Sequence, residues 1–366
     1  MKKTLTAFAV MAALCLVASC SPKKAVTVTP SSQNRPEVAD AQPAAAPAAP
    51  DCIAPDYLKP GDKVALLTPS YTTPYENITA AAEVLRLWGL EPVIGPNAGK
   101  TYQGKYAGTL EQRAADVTWA LTDKDIKAII CSRGGYGSIR LIECLKPELF
   151  AANPKWIVGY SDITTLLEME TTSGVMSIHG TMGNSIAAGA GEDVSSSTLR
   201  SLLFGQVPEY RLQAHPMNRP GKATGILVGG NICTFVPNLD TWADASRYDG
   251  IILFLEEVGE SMHNIDRLFN MLRYRGVLDR CKGIIFGEFT DCGKEFDYAN
   301  VEQMLEVYLQ GYDIPVLCGF PAGHDRFNLP LILGAKTTIE VGESGAGISF
   351  SVPGKVRIIS LPAALE

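Results

Sequence analysis

Histidine is scarce, at four residues in a chain of 366. No Cys-x-x-Cys pair and no Cys/His spacing of a zinc site occurs, so a structural or catalytic zinc centre is not expected. Nine cysteines are present. Setting aside Cys15 and Cys20 near the N-terminus leaves an odd seven, which cannot all pair within one chain. Cys281 and Cys292 could pair, but a disulfide-built scaffold is excluded. Cys131, Cys233 and Cys318 sit in apolar runs and read as small core residues. An excess of positive charge is also lacking in the body. Net charge is −7, and the first fifty residues carry +3 of it, leaving −10 for the body. Such a body is a poor nucleic-acid binder, because phosphate contacts need concentrated positive charge. Gly-X-Y periodicity is missing despite 34 Gly and 23 Pro. What is present is 46% hydrophobic against 19% charged residues, which excludes a disordered chain. The length suggests two domains.

The longest N-terminal apolar run, residues 5–17, is too short to span a bilayer comfortably. It follows Lys2-Lys3 and ends in Val17-Ala18-Ser19-Cys20, which resembles a bacterial lipobox. Residues 1–19 are therefore expected to be a lipoprotein signal, with Cys20 lipidated and anchoring the chain to a membrane. Ser21 favours an outer-membrane destination, on the periplasmic side of the cell envelope. Residues 20–54, rich in Ala and Pro, read as a disordered tether.

The body reads as α/β. Apolar strands at 63–68, 91–94, 126–132, 156–160 and 175–179 alternate with helical patterns at 75–88 and 109–121. Thr109 and Gln112 form a capping-box signature. The alternation predicts a doubly wound parallel sheet, flavodoxin- or glutamine-amidotransferase-like, over 55–190. Residues 191–222 read as a linker, and 223–366 as a mixed α/β domain with a β-rich end. That second domain is expected to contain strands at 224–228, 250–255 and 283–286, helices at 263–275 and 297–310, and three short strands in its tail.

The turn after the third strand draws attention. Arg133-Gly134-Gly135-Tyr136-Gly137-Ser138 leads into a short helix, so Ser138 lies at the carboxyl end of the sheet, where doubly wound proteins bind ligands. A serine there can cap its helix or stand as a nucleophile on a strand–helix elbow. The loop departs from both the GxGxxG and the Gly-Lys-Ser/Thr phosphate patterns. Ser161-Asp162 reads as a cap for a helix starting at Ile163. A serine nucleophile needs a base. His215 and His263 read as surface residues. His179 ends the fifth strand, and His324 sits in a Gly/Pro-rich loop. Glu256 and Glu257 close a hydrophobic strand at 251–255; strand alternation allows only one of them to face any given partner.

Together these stretches resemble the LD-carboxypeptidases, serine peptidases also called muramoyltetrapeptide carboxypeptidases. The resemblance runs over about 60–357 through Arg133–Ser138, Gly159-Tyr160-Ser161-Asp162, His179-Gly180, Gly229-Gly230-Asn231, Glu256–Glu260, Gly287–Cys292 and Gly323-His324. It implies Ser138 as nucleophile, Glu256 as the acidic member and His324 as general base, acting without metal or cofactor. Glu257 stands where the family usually has Asp. The expected oxyanion donor is the backbone N–H of Ile139, and the expected substrate contacts are Arg133, Gly135, Arg140 and His179. Arg133 and Arg140 could equally form salt bridges within the fold. The implied substrate is murein tetrapeptide, losing its terminal D-alanine; a homodimer is a compatible assembly. Two rivals are a hydrolase resembling the microcin-immunity peptidases and a non-catalytic murein-binding lipoprotein.

Overall fold

A computed structural model describes residues 46–293, 298 and 300–361. The expected signal, Cys20 and the tether up to residue 45 lie outside the described residues. Among the described residues, fourteen strands occur in chain order. The first five are β1 (Lys63–Leu67), β2 (Glu91–Ile94), β3 (Ile126–Cys131), β4 (Trp156–Gly159) and β5 (Ser177–His179). Next come β6 (Gln206–Gln213), β7 (Gly221–Asn231), β8 (Ile251–Val258), β9 (Cys281–Thr290) and β10 (Val316–Leu317). The last four are β11 (Leu331–Leu333), β12 (Lys336–Gly342), β13 (Gly345–Phe350) and β14 (Lys355–Leu361). The longer α-helices include α1 (Tyr75–Leu87), α2 (Leu110–Thr122), the helix Thr164–Thr172 and the helix Met262–Tyr274.

The first sheet has the order β11-β5-β4-β3-β1-β2. Its parallel part is the flavodoxin-type order, with the topological switch between β1 and β3. Its inner strands β1, β3 and β4 are short, mostly apolar and largely buried, as parallel sheets require. The second sheet has the order β10-β9-β8-β7-β12-β13-β6-β14. Its β7–β10 half is parallel, and β12 and β13 continue it antiparallel. Two mostly parallel sheets thus place the carboxyl ends of β4, β7 and β8 near one another. The helix Thr164–Thr172 joins them: Asn231 N–H donates to Thr164 Oγ1 at 3.2 Å, and the Gly229 N–H donates to the Glu168 carboxylate at 3.1 Å.

Three expectations need correction. Residues 191–222 are not a plain linker, since they contain a helix (Val194–Leu203) and β6. Pro208 lies within β6 but outside the Tyr210–Gln213 stretch that pairs with β13, so its missing N–H costs that ladder nothing. The first sheet does not end at residue 190, because β11 returns from the C-terminal part to pair antiparallel with β5. The tether does not reach residue 54: Ile53 bridges to the 174–176 turn, and Pro47 accepts from the Asp249 N–H at 2.9 Å. Isolated backbone bridges of this kind leave no mark in an Ala/Pro-rich composition.

Helix α2 carries the capping box expected of it. Gln112 N–H donates to Thr109 Oγ1 at 3.3 Å, and Thr109 N–H donates to Gln112 Oε1 at 3.0 Å. Thr109→Ala is expected to destabilise the protein by about 1 kcal/mol, read as a lower urea midpoint with an unchanged m-value.

Candidate active site

Strand β8 is buried from Ile251 to Glu257, so two carboxylates end inside the protein. Alternation sends them to opposite faces. Glu256 Oε2 meets His324 Nδ1 at 2.7 Å, and its side chain is fully buried. Glu257 turns the other way and accepts from Asn231 Nδ2 at 2.9 Å, Cys233 N–H at 3.0 Å and Val258 N–H at 2.8 Å. Glu256 is therefore the glutamate that orients the histidine.

The loop carrying His324 is led to Glu256 by a bulge. The β8–β9 register shifts between Leu255 and Glu257, so Gly287 and Glu288 of β9 share the place opposite Glu256. The Glu288 N–H then donates to Ala322 O at 3.0 Å, laying residues 320–324 alongside. Gly323 has φ +143°, and a Cβ there would stand 3.0 Å from Glu256 Oε2. Only glycine lets the backbone approach the carboxylate this closely. Asn328 Oδ1 accepts from the Gly323 N–H at 3.1 Å and bonds His179 Nε2 at 3.2 Å.

Burial alone would lower the His324 pKa, but the hydrogen bond and charge of Glu256, with the charge of Glu257, outweigh it and raise the pKa above 6.5. Burial raises that of Glu256, against the opposing pull of the imidazole. His179 is fully buried, and burial, followed by the charge of His324, pushes it down to about 3. It stays neutral and packs edge-on against Phe254, with ring centroids 4.8 Å apart. His179 is therefore not a substrate contact; it braces the His324 loop through Asn328.

Ser138 is not placed as a nucleophile. It is fully buried, its hydroxyl donates to the Asp162 carbonyl, and its N–H donates to Asp162 Oδ2 at 2.9 Å. Both bonds hold the neighbouring β4 turn in place. Ile139, next to a buried serine, loses the oxyanion role inferred from it. Arg133 donates to the Thr72 carbonyl at 3.3 Å, which ties two loops together. Arg140 is exposed on the short 3-10 helix Ser138–Glu143, and Gly135 is exposed in the preceding loop.

The serine that residue-by-residue reading missed is Ser161. It follows β4 at φ +62°, a left-handed conformation uncommon for a non-glycine residue. It does not cap the following helix, whose N-terminus has no side-chain cap bond. Strained serines at a strand–helix turn are the geometry of a nucleophile elbow. The sequence signal was there, since Gly159-Tyr160-Ser161-Asp162 joins a buried strand to a helix. Tyr160, its neighbour, packs on His324 with ring centroids 4.9 Å apart. Across the turn stands Gly134, where a Cβ would lie 2.9 Å from Ser161 Cβ. The hydroxyls of Ser70 and Ser138 both donate to Asp162, the first to its carboxylate and the second to its carbonyl.

Ser161 lines an open cavity of about 390 Å³ with Gly135, Tyr136, Ile139, Asn231, Cys233, Glu257 and Glu260 among its walls. Among the described residues, no group of three His, Cys, Asp or Glu side chains is disposed to hold a metal ion. All seven described cysteines are free, Cys281 and Cys292 included.

Comparison with known proteins agrees with this architecture. Residues 64–180 match the LD-carboxypeptidase N-terminal domain, and residues 224–339 match the C-terminal domain of the same family. A putative carboxypeptidase of Synechocystis sp. is 33% identical over 298 residues, covering 80% of this chain and 95% of that protein. The murein tetrapeptide carboxypeptidase of Pseudomonas aeruginosa is 29% identical, covering 76% and 93%. The microcin C7 self-immunity protein of Escherichia coli is 28% identical, covering 77% and 90%. A solved structure of the microcin C7 self-immunity protein, in complex with aspartyl sulfamoyl adenosine, superposes with a TM-score of 0.68 at 25% identity, covering 81% of this chain and 98% of that one.

Replacing Ser138 by Ala removes the hydroxyl that serves the buried Asp162 carbonyl. The expected loss is about 1–3 kcal/mol of stability, measured by urea unfolding. An unchanged midpoint would contradict the bracing role.

Proposed function

Since the chain belongs to the LD-carboxypeptidase family and is a serine carboxypeptidase, we propose that it releases the terminal D-alanine of murein tetrapeptide through Ser161, His324 and Glu256. The observation carrying this reading is the Glu256–His324 pair beside the strained serine turn. Glu256 accepts the Nδ1–H, which leaves the Nε2 lone pair free to act as base. Nε2 removes the Ser161 proton as Oγ attacks the carbonyl of the third stem residue. The tetrahedral oxyanion is held by backbone N–H groups of Asp162 and of the Gly134–Gly135 loop, at about 3 kcal/mol per donor. Breaking the C–N bond passes the proton from Nε2 to the departing D-alanine amine and leaves an acyl-serine. Water, deprotonated by the same imidazole, then releases the tripeptide. Lipid on Cys20 would hold this activity at the periplasmic face of the envelope, a placement supported by the basic, apolar and small-residue order of residues 2–20.

Of the rival readings, a peptidase for aminoacyl-nucleotide conjugates is disfavoured by charge. The microcin C7 self-immunity protein has been solved with an aspartyl conjugate. In this chain Glu257 and Glu260 line the cavity at Ser161 and would oppose an acidic aminoacyl group. A non-catalytic murein binder would have no use for a strained serine beside an oriented imidazole.

Ser161→Ala is expected to cut D-alanine release from murein tetrapeptide by on the order of 10⁴-fold; wild-type rates in that variant would sink the assignment. The base must be neutral to work, and its pKa is raised above 6.5. Activity should therefore fall as pH drops through a value above 6.5. Glu256→Gln removes the carboxylate that favours the imidazolium, so the acidic limb of kcat/KM should move to lower pH while kcat falls. A limb that stays in place would show that another group titrates.

A further inference from the structure

The cavity beside Ser161 carries a consistent charge. Asp162, Glu257 and Glu260 are among its lining residues, and no lysine, arginine or histidine is. The three carboxylates are not equivalent. Asp162 is occupied by the Ser70 hydroxyl and the Ser138 N–H. Glu257 is 2% exposed and accepts from three donors. Glu260 is half-buried at the wall, and its Oε2 accepts from Asn264 Nδ2 at 2.8 Å. Cys233, also on the wall, is kept as a neutral thiol by burial and by the charges of Glu257 and Glu260. Tyr136, 47% exposed, lines the cavity and offers an aromatic face to a cation.

This bears on which part of the substrate the cavity holds. If Ser161 Oγ attacks the carbonyl of the third stem residue, the side chain on the adjacent carbon must lie within a few ångströms of Ser161. The terminal carboxylate of the leaving D-alanine would be repelled by the same walls, as would the second residue's carboxylate. Resting on the reading of Ser161 as nucleophile, we infer that this cavity receives the third residue's side chain and that Glu260 selects for a positively charged ammonium group on it. A lysine or diamino-acid side chain is long enough to carry an ammonium from the scissile carbonyl to the cavity wall. Glu260 is the specificity-determining residue because its carboxylate is the least enclosed of the three.

The test compares two synthetic tetrapeptides with the full chain: L-Ala-γ-D-Glu-L-Lys-D-Ala and the same peptide bearing Nε-acetyl-lysine. Acetylation removes the charge and keeps the length. The expected kcat/KM ratio for D-alanine release is about tenfold in favour of the free lysine, shrinking as salt rises. In Glu260→Gln, which preserves shape and an acceptor for Asn264, the ratio should fall to about twofold. In Glu260→Lys it should invert. Thermal melts check that each variant is folded; if Glu260→Lys is not, the Gln variant alone decides. Equal release of D-alanine from both peptides by the wild type would overturn the inference and leave the hydrolase reading standing. No release from either peptide would overturn the hydrolase reading and the inference with it. A tenfold ratio that persists in Glu260→Gln would also overturn it, by removing Glu260 as the selector.

Discussion

The hydrogen bond from His324 Nδ1 to the fully buried Glu256 carboxylate is the contact on which the site depends. An unpartnered carboxylate at that depth would cost several kcal/mol or stay protonated. Much of the surrounding architecture serves this pair. Strand β8 runs between β7 and β9 and delivers Glu256 to the inside. The bulge in β9 makes room opposite it, and Gly323 lets the loop come close. The same bond that orients the imidazole also raises its pKa against the effect of burial, with the charge of Glu257 adding to the rise.

The second constraint is the turn after β4. A serine at φ +62° is strained and persists only where its surroundings hold it. Asp162, the next residue, supplies that hold by accepting from Ser70, from the Ser138 hydroxyl and from the Ser138 N–H. Ser70 follows β1 and Ser138 follows β3, so the two strands flanking the topological switch both brace the turn of a third. The site thus lies where the flavodoxin-type order places ligands, although the strained residue comes from β4.

The two sheets act together because the helix after that turn is polar where it meets β7. Thr164 accepts from Asn231, and the Glu168 carboxylate accepts from the N–H groups of Gly229 and Ala245. Burial pushes the Glu168 pKa well above the usual carboxylate range, and the backbone donors oppose that rise. The helix that begins at the serine turn is therefore tied to the strand that leads to the acidic cavity wall. Movement of one sheet against the other would disturb Ser161, Asn231 and Glu257 together.

Local rules were legible wherever the deciding contacts lie close along the chain. The capping box of α2, the alternating strands and helices of the first sheet, and the opposite facing of Glu256 and Glu257 follow from turn chemistry and strand period. Family resemblance and the Glu–His candidates were likewise visible in the residues. The choice between Ser138 and Ser161 was not, because both follow glycine-containing turns at the end of a buried parallel strand. Only the fold shows that one hydroxyl is spent on a backbone carbonyl while the other stands on a strained turn, lining a cavity. The return of β11 to the first sheet and the packing of Tyr160 on His324 also belong to tertiary structure. Pairings across more than a hundred residues are set by which surfaces can be buried together, and no local pattern encodes that.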